Sequence, residues 1–365
     1  MSVRYDIAIV GAGIAGASLA AECAGHRNIV VLEAEDSPGY HTTGRSAAFW
    51  EQTYGGPGVL PLTTASGDFL RDRGFLKRRG GLYIGRESDS GAIAAFADRY
   101  AGTGAPIERL DRIGMLERLP DLLPRWRHGL FVPDCSDIDV AGLHQYYLAA
   151  MRHAGVELQL RWRVERVARD GDDWVLTDAH GREVRAGLLV DAAGAWADRI
   201  AGLAGIRPLG ITPLRRTVAQ LRTAPEPSPD LPLTLDINGR FYFKPEGTRL
   251  WLSPHDEEPS EPCDAAPEGE AIAHAIDRFG NVLDWDVVAV ERKWAGLRNF
   301  APDRLPVYGF EPSQPDFFWC AGQGGWGIQT APAAARLAAQ ILLDLPSDAM
   351  TEGLDRARYS PDRFR

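Results

Sequence analysis

Residues 5–33, YDIAIVGAGIAGASLAAECAGHRNIVVLE, decide the fold. Ile7, Ile9 and Val10 read as a buried strand, and Gly11, Gly13 and Gly16 form G-x-G-x-x-G where that strand turns into a helix. Gly11 permits the tight turn. Gly13, followed by Ile14 and Ala15, lets a pyrophosphate approach the positive end of the helix, and Gly16 lets helix and strand pack closely. A second apolar run, Ile29 to Leu32, ends in Glu33, 22 positions after Gly11, where a carboxylate with Ala34 beside it takes the ribose hydroxyls of an adenosine. Strand, glycine turn, helix, strand and acid together point to a bound dinucleotide.

A chain of 365 residues is long enough for two domains, and its 45% hydrophobic and 25% charged residues are those of a globular protein. A net charge of -10 argues against a nucleic-acid partner, which needs a positive surface stripe. Cys23, Cys135, Cys263 and Cys320 form no C-x-x-C pair and read as buried thiols of a reducing compartment, with no metal site. The opening residues show no leader pattern and no stretch has the length of a membrane span, so a cytoplasmic protein is expected.

The loop after Glu33 closes on Thr43, Gly44, Arg45, Ser46, Ala47 and Ala48, small residues expected to start a helix and make a second dinucleotide contact. Helices are expected over 60–71, 91–100, 141–154 and 331–343, and strands over 81–85, 158–160, 163–167, 174–177 and 183–184. Another buried strand from Leu188 runs into Ala193, Gly194 and Trp196, a further wall of the nucleotide site. Residues 210–294 alternate as an antiparallel sheet with one wet face. Within them Ser253 to Pro267 reads as an exposed, mobile charge run. The last strand, from Phe317, meets Gly322, Gln323, Gly324, Gly325, Gly327 and Ile328, a second glycine turn leading into a helix. The tail after Leu345 reads as partly ordered. Glycine turns recurring near the carboxyl end favour FAD, extended across the domain, over a nicotinamide.

The segments GAGIAG, HTTGRSAA, RFYFKP, WAGLR and FFWCAGQGGWGIQT resemble the D-amino-acid oxidase superfamily of flavoproteins, in particular the bacterial D-arginine dehydrogenases, over nearly the whole chain. The resemblance implies an α/β fold with a Rossmann-type FAD-binding domain (1–55, 139–210 and 295–365) and an inserted antiparallel-sheet α+β substrate domain (56–138 and 211–294). It also implies FAD contacts at Gly296, Arg298 and the backbone of Val164, which by local pattern alone reads equally as a core valine. Tyr54, Arg216, Tyr242 and Arg298 would hold a substrate α-carboxylate, with Arg215 the neighbour if the alignment slips by one. An arginine fork matches a carboxylate with two parallel hydrogen bonds. The alternative for each arginine is a structural ion pair.

Two departures bear on the substrate. Phe49 stands where the D-arginine dehydrogenases have a histidine near the amine, and Gly81 where they have a glutamate gripping the guanidinium. With Trp50, these point to an apolar or aromatic side chain, while Glu51 is either a replacement charge or a solvent-facing loop acid. The expected reaction is hydride transfer from Cα to flavin N5, then hydrolysis of the imino acid to a 2-oxo acid and ammonia. No side-chain base is named. Residues 301–306 lack the cysteine by which the related sarcosine oxidases attach flavin, so noncovalent FAD is expected. Oxidation of a 2-hydroxy acid or N-methyl amino acid, and a non-catalytic electron-relay subunit, are the alternatives. The electron acceptor stays open.

Overall fold

The computed structural model describes residues 4–365. Its first sheet has eight strands in the order Val164–Asp170, Asp173–Asp178, Glu183–Asp191, Arg4–Val10, Ile29–Leu32 and Glu157–Gln159; Gln314–Ala321 also joins Glu183–Asp191, and Val307–Glu311 joins Gln314–Ala321. The centre is parallel, with Ile9 registered on Val31 on one side and on Val190 on the other, and Val190 on Phe318. Alternation along the opening strand sorts its side chains. Ile7 and Ile9 pack into a core shared with helices Ile14–Cys23, Val140–His153 and Gly327–Leu342, while Ala8 and Val10 face a second core around Trp162, Trp174 and Trp319. Both faces are thus covered, as a parallel sheet requires. The segments expected at 183–184 and from Leu188 are one strand, whose first half pairs with Asp173–Asp178 and whose second half pairs with Gln314–Ala321.

The second sheet has ten strands, ordered Gln323–Gly324, Asp286–Phe300, Thr212–Ala224, Arg249–Ser253, Tyr242–Glu246, Leu233–Asp236, Gly81–Arg86, Trp126–Val132 and Glu108–Leu110, with Glu258–Pro259 on Thr212–Ala224. It is mixed rather than purely antiparallel. Leu233–Asp236 forms a hairpin with Tyr242–Glu246, and this fixes its direction, which is parallel to its other neighbour, Gly81–Arg86. Strand Asp286–Phe300 runs unbroken across residue 295, where the sequence reading changes domain. One face is closed by helices Arg112–Arg118 and Gly269–Gly280, through Met115 and Phe279. The other turns toward Phe49 and Tyr54.

Three segments differ from expectation. HTTGRSAA begins no helix: it closes a series of turns, with Gly44 N donating to Gly39 O at 2.7 Å, and runs into the short strand Phe49–Trp50. Ser253 to Pro267 is tied down, because its acids meet cations and amides of the second sheet and of two loops beside it: Asp256 accepts from Thr217 N and Oγ1, Glu257 pairs with Arg216 and with Arg304, and Asp264 with Arg45. The tail is packed, with Tyr359 1% exposed and donating to Gly58 O, and Arg365 bonded to the buried Glu311 at 2.8 Å. Cys263 is exposed, whereas the other three thiols are buried. Among the described residues no helix is long and apolar enough to cross a membrane, and no group of three or more His, Cys, Asp or Glu residues could hold a metal ion.

Candidate functional site

One cleft runs from the carboxyl ends of the parallel strands to the open face of the second sheet, with about 1680 Å³ of space counted to its mouth. At the nucleotide end Gly11 has φ +105°, and a Cβ there would lie 2.5 Å from Ala192 O. A Cβ on Gly16 would lie 1.9 Å from Gly11 O, so helix and strand touch only because both residues are glycine. Gly13, Ile14 and Ala15 line the cleft at the helix amino end, where the first N–H groups have no carbonyl within the helix. Thr43 Oγ1 accepts from Ile14 N at 3.0 Å. The Glu33 carboxylate is held by Ala12 N at 2.9 Å and Glu35 N at 3.0 Å. His144 Nε2 donates to Ala12 O at 2.9 Å, and burial lowers its pKa, so a neutral imidazole braces the turn. A second helix, Gly327–Leu342, begins four residues earlier than expected and brings Gly327 and Ile328 to the wall.

These features fit FAD. Two helix amino ends open on one extended cleft, a carboxylate stands at the strand end, and the buried Asn299 Oδ1 on its wall has no partner. Of the residues expected to hold the cofactor, Gly11, Gly13, Ile14, Ala15, Glu33, Ala34, Thr43, Arg45, Ser46, Ala47, Ala48, Val164, Ala193, Gly194, Trp196, Gly296, Arg298, Gln323, Gly324, Gly325, Gly327 and Ile328 line the cleft. Gly16, Gly44 and Gly322 stand behind its wall, where they permit close backbone packing. Arg45 reaches the wall, but its guanidinium is spent on Asp264 and on Ala265 O and Ala295 O, joining the two sheets.

At the substrate end, strand alternation aims the side chains. Arg216 is registered on Gly296 and Leu214 on Arg298, so both arginines lie on the cleft face, two residues apart across the pair. Arg215 points to the opposite face and pairs with Glu268 at 2.6 Å, so of the two neighbours Arg216 is the one on the cleft face. Tyr242 faces the cleft while Phe241 and Phe243 enter the core behind it. Phe49 packs on Tyr54 at 4.8 Å and on Tyr242 at 6.1 Å between ring centroids.

The two arginines are not equivalent. Arg216 Nε donates to Asp256 O at 2.8 Å and its Nη2 meets Glu257 at 3.3 Å, while Nη1 is buried without a partner. Arg298 has no ion pair to a carboxylate among the described residues; a Cβ on Gly325 would lie 2.8 Å from its Nη1. Burial, then repulsion from Arg298, lowers the pKa of Arg216 to about 10. Burial also acts to lower Arg298, but the neighbouring Tyr54, Tyr242 and Glu257 together outweigh it and hold this cation above its usual value. The Tyr54 hydroxyl is itself buried and without a hydrogen bond. Burial and the two guanidiniums push His255 down to about 2.

Three expected substrate contacts lie elsewhere. Trp50 follows Phe49 on a strand and so faces the other way, into the core with Leu62 and Phe69, its Nε1 donating to Thr63 O. Gly81 sits in a strand against Cys135, away from the cleft. Glu51 is wholly buried, neither solvent-facing nor on the wall, and bonds Thr53 and Tyr83. Sequence reasoning missed Val218, Asn299 and Gln329 on the wall and His144 behind it. His144 left a signal: it is a polar residue in the apolar stripe of Leu143, Tyr147, Leu148 and Met151.

Similarity to known proteins agrees with this arrangement. The chain is 25% identical over 361 residues to the glycine oxidase of Geobacillus kaustophilus, covering 94% of each. That enzyme's crystal structure superposes with TM-score 0.83 at 23% identity, covering 98% of both chains. L-Proline dehydrogenase from P. horikoshii superposes at 0.85, with 19% identity and coverage of 100% of this chain and 98% of that one. The Mycoplasma pneumoniae L-α-glycerophosphate oxidase with FAD bound superposes at 0.84, with 16% identity and 93% and 95% covered. At these identities the structures attest the fold. The family described as FAD dependent oxidoreductase, DAO, matches residues 6–341, and this chain belongs to it as an enzyme whose cofactor is FAD.

Proposed function

We propose that the protein oxidises a D-amino acid with an apolar side chain at Cα, giving a 2-oxo acid and ammonia. The observation that carries this is Arg298, a cleft-facing cation without a carboxylate partner beside the unpaired Arg216 Nη1 and Tyr54 hydroxyl. A substrate carboxylate would satisfy all three, since a buried donor without a partner costs about 1–3 kcal/mol. Tyr242 would flank it. FAD, when bound, supplies the hydride acceptor for the Cα–H bond. The chain's own part is to hold Cα in place: two guanidiniums anchor one end of the substrate, and the Phe49, Tyr54 and Tyr242 rings exclude water around the other.

The carboxylates of the cleft wall, Glu33 and Glu35, belong to the nucleotide end. Near the clamp, Glu257 is already paired with Arg216 and Arg304 and does not line the cleft, so a guanidinium side chain would find no unpaired acid on the wall there, which argues against arginine as substrate on firmer ground than Gly81. The likeness to D-arginine dehydrogenases thus extends, in our reading, to the carboxylate clamp and not to the side-chain pocket. The same lack of an acid leaves the amine without a dedicated ion pair, which supports a second reading: a 2-hydroxy acid or N-methyl amino acid on the same clamp. Anaerobic mixing with D- and L-amino acids, N-methyl amino acids and 2-hydroxy acids separates them. Bleaching of the flavin absorbance by apolar D-amino acids, with ammonia released, is expected. Bleaching by 2-hydroxy acids alone would overturn the proposal in favour of the second reading.

A further inference from the structure

The turn at residues 51–54, which presents Tyr54 to the cleft, is bonded at nearly every polar group except the Tyr54 hydroxyl. Glu51 N donates to Gln329 Oε1 at 3.2 Å, and Gln329 Nε2 donates to Tyr54 O at 3.0 Å, linking the turn to the helix start at the second glycine turn. Tyr54 N donates to Glu51 O at 3.1 Å, and Tyr100 OH donates to Thr53 O at 2.6 Å. At the centre is the Glu51 side chain. Its Oε1 accepts from Thr53 N at 2.9 Å and from Thr53 Oγ1, and its Oε2 lies 2.5 Å from Tyr83 OH. The residue is 0% exposed, and among the described residues its carboxyl has no cation partner.

We infer that Glu51 is a positioning residue for substrate binding: it locks the turn so that the Tyr54 hydroxyl and the Phe49 ring stand at fixed places beside Arg298. A buried acid facing only hydroxyl and amide groups is an expensive way to fill space, since burial without a cation penalises its charged form. Burial raises the Glu51 pKa, while the hydrogen bonds that its carboxyl accepts from Thr53 and Tyr83 act to lower it, so the group depends on those donors in place of a cation. No atom of Glu51 reaches the substrate in this account; it acts through Tyr54.

The inference rests on the proposed carboxylate clamp, and one titration separates the two. Acetate is added to the FAD-loaded protein and its Kd read from the flavin difference spectrum. If the parent binds no acetate, or Arg298→Met binds it equally well, the clamp fails, and with it the inference. If the clamp holds, Glu51→Ala should weaken acetate about tenfold, the worth of one or two lost buried hydrogen bonds, with FAD still bound. Glu51→Gln, which keeps an acceptor for Thr53 and sets an amide N–H against the Tyr83 oxygen, which can accept in turn, should stay within about twofold of the parent. Where Glu51→Ala does not fold, Thr53→Val combined with Tyr83→Phe takes its place. Unchanged affinity in the disrupted variant, or a Glu51→Gln as weak as Glu51→Ala, overturns the role.

Discussion

At the nucleotide end of the cleft the wall is largely backbone, from Gly11 to Ala15 and from Ala192 to Gly194, whereas at the substrate end it is side chain, from Phe49, Tyr54, Arg216, Tyr242 and Arg298. A backbone wall depends on what is missing, namely Cβ atoms, and tolerates no addition. A side-chain wall depends on which face of a strand each residue occupies. The first should therefore fail wholesale, and the second by degrees.

Gly16→Val tests the backbone end. Its Cβ would overlap Gly11 O at 1.9 Å, and neither helix nor strand can retreat from the packed core. The purified variant should carry little or no FAD by absorbance, a loss larger than any substitution at the other end produces. Full FAD content would break the comparison. Arg298→Met comes next. It should keep its FAD and lose about 10²–10³-fold in kcat/KM, since removing one partner of a buried charge pair costs about 2–5 kcal/mol. Loss of FAD in this variant would mean that Arg298 also holds the cofactor, the contact that the resemblance implies, and that the two ends share this residue.

The same contrast explains what could be read from sequence. The glycine turn, its helix and the Glu33 strand are local in the chain, so spacing alone located them. Arg216, Tyr242 and Arg298 come from strands and Tyr54 from a turn, all far apart in sequence, and they were found by resemblance rather than by pattern. Trp50 shows the limit. It adjoins Phe49, but strand alternation sends the two to opposite faces, and the two-residue strand was not visible in a loop of small residues. Glu51 and Gln329 are bound to each other's neighbourhood across 278 positions, a distance no local pattern reports.

Alkaline pH sharpens the comparison within the substrate end. Arg216 is depressed to about 10 and Arg298 is not, so raising the pH should discharge Arg216 first. The sign is that of a cation weakened by burial: carboxylate affinity is full below about 10 and falls as pH rises through it. With acetate, which does not itself titrate there, the Kd should rise several-fold between pH 9 and about 11. Arg216→Met should bind more weakly than the parent at pH 9 and lose this dependence. A parent Kd flat across that range would show that Arg216 keeps its proton.

The smallest effect compares one histidine from each end. His144 braces the glycine turn and His255 the substrate sheet, its Nδ1 donating to Gly239 O at 2.9 Å; both have lowered pKa values. Burial leads in each case, but His255 also faces two guanidiniums and stays neutral down to about 2. An unfolded histidine takes up its proton near pH 6.5. Between that value and about 2 the unfolded chain binds a proton that native His255 refuses, so this group's contribution to stability is whole above 6.5 and is lost as pH falls. His255→Gln keeps a donor for Gly239 O and removes the titration. Its Tm should therefore fall less steeply than the parent's from pH 7 to 5, by up to about 1.4 kcal/mol of stability per pH unit. His144→Gln should flatten the profile too, and over a narrower range, because no guanidinium reinforces its burial. Equal ranges would mean that burial alone sets both, and that the charge of the clamp does not reach His255.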